Sequence, residues 1–89
     1  MSAKASNGTS VKINLGRTIN ICGIDVDHVI MREPTVDDFL QMNKRNVHES
    51  EKELFLFADL LQIAPDDLRK IPIKVYMTIQ GAFKEHFLS

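Results

Sequence analysis

Apolar and polar residues alternate strictly from Val11 onward. Val11, Ile13 and Leu15 are separated by Lys12 and Asn14; Gly16-Arg17 interrupts the pattern, and Ile19 and Ile21 resume it. Beyond Cys22-Gly23 the alternation returns at Ile24 and Val26 and leads into Val29-Ile30-Met31. A period of two, rich in β-branched side chains, predicts strands with one buried face. The expected unit is an antiparallel hairpin over 11–31, turned at Gly23, with an irregularity in its second strand at Asp27-His28. Two strands alone are marginal in water, so helices must cover them.

The period changes after Met31-Arg32-Glu33. Pro34-Thr35-Val36-Asp37-Asp38 is a helix start: Thr35 is the expected cap, and the two aspartates sit where the helix dipole favours negative charge. Val36, Phe39 and Leu40 recur at helical spacing, and Lys44-Arg45 falls in the last turn of a helix over about 35–46. Ser50 with Glu53 three places on has the form of a capping box opening a helix over about 50–62. Its core, Leu54-Phe55-Leu56-Phe57-Ala58-Asp59-Leu60-Leu61, is apolar nearly all round, which predicts a central helix with neighbours on several sides. A short helical turn over 65–70 begins at Pro65. A last helix over 72–87 carries Tyr76, Ile79, Phe83 and Phe87 on one stripe, with Gly81 on the opposite side. The fold class is therefore α+β: an N-terminal antiparallel hairpin followed by three to four helical segments packed as a small bundle on one face. Residues 1–10 are small and polar and are expected to form a disordered arm before a single domain over 11–89.

Composition narrows the function more by exclusion than by assertion. The chain has 89 residues, room for one small domain with a modest core. Eleven basic residues stand against twelve acidic ones, a balance with no general attraction to nucleic acid or anionic lipid. The single cysteine, Cys22, has no partner within the chain, which fits a reducing cytoplasm. No apolar run is long enough to span a bilayer. His28, His48 and His86 lack metal-ligand spacing, and the pairs Asp37-Asp38 and Asp66-Asp67 are explained by helix starts. No nucleophile has a recognisable histidine partner, and the glycines are too scattered for a phosphate loop. Neither an enzyme nor a cofactor site is expected. The helices flanking Asn46-Val47-His48-Glu49 raise a second class, a small helix-turn-helix-like DNA-associated regulator, but Glu51, Glu53 and Asp59 face a single Lys52 there. What remains is surplus apolar surface: Ile73, Met77 and Leu88 lie outside the main stripe of the last helix, and Val11 and Ile13 lie on a hairpin strand with an edge to offer. The residues point to a small protein-binding or assembly module.

A resemblance sharpens this reading. Val29-Ile-Met-Arg-Glu-Pro-Thr-Val-Asp-Asp-Phe-Leu40 resembles the segment that follows the hairpin in tail assembly chaperones of Mu-like and related contractile-tailed phages. Phe57-Ala-Asp-Leu-Leu-Gln-Ile-Ala-Pro-Asp-Asp-Leu68 is similar to that family's leucine-rich stretch and acidic turn, and the closing helix ending in Phe83 and Phe87 also fits. The likeness runs from about Val11 to Leu88, although Arg17-Thr18-Ile19 lacks the proline common near the first turn. The resemblance implies a non-enzymatic helper made in the bacterial cytoplasm that binds the long tape-measure protein and keeps it soluble during tail morphogenesis. It further implies absence from the mature virion and, as in many of these phages, a longer frameshifted form; that form and a homo-oligomer are candidate partners. The charge balance and the lack of a spanning run leave no expected role for nucleic acid or membrane.

Overall fold

The structure, a computed structural model, describes residues 10–88. Of the arm expected over 1–10, all but Ser10 lies outside the described residues. The fold is α+β, an antiparallel two-stranded hairpin followed by four helices. Strand β1 (Val11–Ile21) and strand β2 (Ile24–Met31) are joined by the two-residue turn Cys22-Gly23. Both turn residues have positive φ, 56° and 79°, the combination whose twist matches that of paired strands. Asn20 closes the turn: its side-chain oxygen accepts from the Gly23 amide at 3.1 Å, and its amide nitrogen donates to Asp25 at 3.1 Å.

Val11 lies opposite Met31, Ile13 opposite Val29 and Ile21 opposite Ile24. Between the pairs Asn14–His28 and Ile19–Val26, the residues Leu15–Thr18 of β1 face Asp27 alone. The extra residues thus belong to the first strand, not the second as Asp27-His28 suggested, and Gly16, at φ 77°, supplies the conformation the bulge needs. Despite the bulge, Ile13, Leu15 and Ile19 all remain buried on the inner face.

The hairpin leaves through Arg32, whose amide donates to the Leu60 carbonyl at 3.1 Å. Its guanidinium then grips both Asp38 oxygens, at 2.8 and 2.9 Å. Asp38 also completes a capping box with Thr35, the N-cap of α1 (Val36–Lys44): Thr35 Oγ1 accepts from the Asp38 amide, and Asp38 Oδ2 accepts from the Thr35 amide at 2.7 Å. One carboxylate therefore fixes both the hairpin exit and the helix start.

Helix α2 (Glu49–Leu61) starts one residue before the cap expected at Ser50. His48 is the N-cap, its carbonyl accepting from the amides of Glu51 and Lys52, and Ser50 is an exposed residue of the first turn with no capping role. Glu49, already helical, meets the dipole with its negative charge and pairs with Lys52 at 3.0 Å, so the first turn forms without a side-chain cap. At the other end Gln62 takes the left-handed conformation (φ 56°), and Ile63 N–H reaches back to Ala58 O at 3.0 Å, satisfying a carbonyl that the helix end would orphan. Helices α3 (Pro65–Leu68) and α4 (Ile73–Phe83) follow, and α4 widens into a π-helical turn, Lys84–Leu88.

The core is one cluster. The hairpin contributes Ile13, Leu15, Ile19 and Met31; α2 contributes Leu56, Phe57, Ala58, Leu60 and Leu61; Leu68, Val75, Ile79 and Phe83 close it. Helix α2 contacts β2, α1 and α3, while α4 contacts β1. Phe57 is fully buried at the centre, with the Tyr76 and Phe83 rings at 5.7 and 5.1 Å. No polar or charged side chain among the described residues is fully buried. Glu53 of α2 is a part-buried carboxylate that accepts from Tyr76 OH at 3.0 Å and Gln80 Nε2 at 2.7 Å, clasping α4 to α2.

Candidate protein-binding surface

Helix α4 turns Val75, Ile79 and Phe83 inward, and this leaves its other side outward. Ile73 and Met77, one turn apart, are 70% and 58% exposed, and Leu88 on the terminal turn is 58% exposed. All three sequence-predicted contact residues of this helix are therefore at the surface. Val11 is half-buried. Ile13 corrects the expectation: at 4% exposure its side chain belongs to the core, because the alternation that marked it as strand also points it under the helices.

The structure adds apolar surface that the sequence reading missed. Val36 and Leu40, one turn apart on α1, are exposed, and the core side of that helix is formed by half-buried Phe39 and Met42. Ile24 and Ile30 are exposed on β2. They border an open groove of about 490 Å³ between β2 and the end of α2, lined also by Val26, Leu61 and Ile63. A second open groove, about 520 Å³, lies between α2, α3 and the start of α4; Leu54, Leu68, Ile71 and Tyr76 line it, with Ile73 at the start of α4. Helical spacing had marked Val36 and Leu40 as apolar, but spacing alone does not say which of several apolar positions meets the core.

Part of the surface charge is paired within the chain. Arg69 bonds Glu51 at 3.0 Å, Arg45 lies 3.9 Å from Asp59, and both guanidiniums sit over the Phe55 ring, at 6.0 and 4.4 Å. The outer side of α2 is thus a neutralised network, not the basic face that a DNA-reading helix presents. Arg32 holds the Asp38 carboxyl down to about 2, with the Thr35 bonds adding to the effect, and the same pairing raises the Arg32 guanidinium. Cys22 donates to Asp67 at 2.8 Å, and that bond, together with the aspartate's charge, pushes the thiol up and away from the reactive thiolate. His28 Nδ1 lies 2.8 Å from Asp27, which lowers the aspartate. Among the described residues no group of three or more histidine, cysteine, aspartate or glutamate side chains converges to hold a metal, and no helix is long and apolar enough to cross a membrane.

Comparison with curated proteins and with solved structures found no match. The family model described as "Phage tail assembly chaperone proteins, E, or 41 or 14" matches residues 12–88, from the second residue of β1 to the last of the terminal turn. With the match taking in the second strand, all four helices and all of the first strand but Val11, the chain belongs to the phage tail assembly chaperone family.

Proposed function

We propose that this chaperone binds the tape-measure protein of its phage or prophage and keeps it soluble while the tail is built. The reading rests on one observation above the others: in a chain of this family, Ile73, Met77 and Leu88 stand exposed on the helix that closes the fold. A long polypeptide with an apolar stripe aggregates through that stripe, and a small domain with spare apolar surface shields it by occupying it. Modest affinity per site suits the task, because each copy has to leave when tail-tube subunits take its place. On this reading the chain works in the bacterial cytoplasm, is absent from the mature virion, and acts without catalysis. A longer frameshifted form and self-association belong to the same proposal, as does pairing through the β1 edge near Val11.

Co-expression with the tape-measure protein encoded beside it tests the reading. The expected result is a several-fold rise in soluble tape-measure protein, reduced by Met77→Lys. Unchanged solubility with abundant folded chaperone contradicts it.

A further inference from the structure

Gly81 has no internal explanation. Its φ is not positive, unlike those of Gly16 and Gly23. A Cβ built there meets nothing within 4 Å, so no neighbour in the chain requires the missing side chain. Glycine in a helix interior is nonetheless unfavourable relative to alanine. Its position gives the missing side chain a meaning. Ile73, Met77 and Gly81 follow one another at four-residue steps on the exposed side of α4, and Lys84 and Leu88 continue the line on the terminal turn. The result is a ridge of two large apolar side chains, then a notch, then Lys84 and a third apolar side chain, with the second groove opening beside Ile73.

The charge beside this ridge has one sign along α4. Lys74 is the helix's one charged residue, Lys70 precedes it and Lys84 follows. Lys70, Lys74 and Lys84 are exposed and make no ion pair among the described residues; the same holds of Lys12, Arg17 and Lys44 elsewhere, whereas Arg32, Arg45, Lys52 and Arg69 are paired. The one acid of the terminal turn, Glu85, has an interaction of its own.

We infer that the outer side of α4 receives an amphipathic helix whose apolar stripe is bordered by acidic side chains, crossing at Gly81. The apolar stripe of such a helix packs between Met77 and Leu88, the notch lets its backbone approach closely, and its carboxylates meet Lys74 and Lys84. This deepens the proposed chaperone function and rests on it.

Binding to two labelled helical peptides tests the inference, one with a leucine stripe bordered by glutamates and one with the same stripe bordered by lysines. The wild-type chain is expected to bind the glutamate peptide about tenfold more tightly, and Lys74→Glu/Lys84→Glu to reverse the order. Gly81→Ala is expected to raise Tm by about 2–8 °C and yet weaken binding, with Gly81→Leu costing tenfold or more. Stability and affinity moving in opposite directions is a result that a purely structural glycine does not give. Equal binding of the two peptides, no binding of either, or unchanged affinity in the Gly81 variants overturns the inference. Failure of the wider reading is separately visible by co-expression. If the wild type and the lysine-reversed variant both hold the tape-measure protein soluble, the α4 inference falls and the chaperone function stands; if neither does, the function falls as well.

Discussion

Asp38 carries more of the fold than any other charged side chain. It receives two bonds from Arg32 and one from the Thr35 amide, and its carboxyl is only 14% exposed. Its pKa falls from 3.8 to about 2, chiefly through Arg32, so the folded state binds its proton less readily than the unfolded chain does. The stability this contributes is complete above pH 4 and is lost as pH falls from 3.8 toward 2. Asp38→Asn is expected to cost about 1–3 kcal/mol at neutral pH. It should also flatten the acid limb of stability between pH 4 and 2, as read by urea unfolding across pH. The two expected caps, Thr35 and Ser50, differ in what they do. Thr35→Ala is expected to cost about 1 kcal/mol, because Thr35 Oγ1 accepts the Asp38 amide. Ser50→Ala, lying inside the helix that His48 begins, should change stability by less than about 0.5 kcal/mol. The sequence made the two sites look alike, each a hydroxyl residue followed three places on by a carboxylate. What it could not show is that Glu49 and the His48 carbonyl start α2 one residue early.

At the level of elements, period and composition were legible where burial is one-sided. The alternation from Val11 to Met31 marked the hairpin, and Cys22-Gly23 marked its turn, because two residues with positive φ leave few sequence choices. The near-continuous apolar run of α2 marked the central helix, and Phe57 lies fully buried between α2 and α4. Tertiary choices were not legible. Gly16 looked like a break in the alternation, yet the bulge depends on how β1 pairs with Asp27. On α1 the spacing offered Val36, Phe39 and Leu40, and of these the core took only Phe39, joined by Met42, which the spacing had not singled out. Leu40→Glu is accordingly expected to shift stability by no more than about 0.5 kcal/mol. Phe57→Ala should cost about 3–5 kcal/mol. For a chain this small, whose whole stability is on the order of 5–10 kcal/mol, that change leaves little margin. Thermal melts of the two variants, followed by circular dichroism, make the comparison directly. Which apolar side chains stay at the surface was half legible for the same reason. Ile73, Met77 and Leu88 fell outside a well-defined inward stripe, whereas Ile13 lay on the stripe itself and went to the core.

The whole molecule is a small core wrapped by helices, with Arg32, Arg45, Lys52 and Arg69 paired to acids and with apolar side chains left over on α1, β2 and α4. Such a surface binds by removing apolar area from water, and the thermodynamic mark of that process is a negative heat-capacity change. Paired charges such as Arg69–Glu51 contribute little to it, so salt sensitivity should be confined to the lysine-bordered side of α4. Isothermal titration of the chain with a soluble segment of the tape-measure protein, repeated at several temperatures, measures that quantity. The account predicts saturable binding whose enthalpy becomes more negative on warming, with the slope reduced in Met77→Lys. Absence of binding, or binding whose enthalpy does not vary with temperature and which disappears in moderate salt, contradicts it.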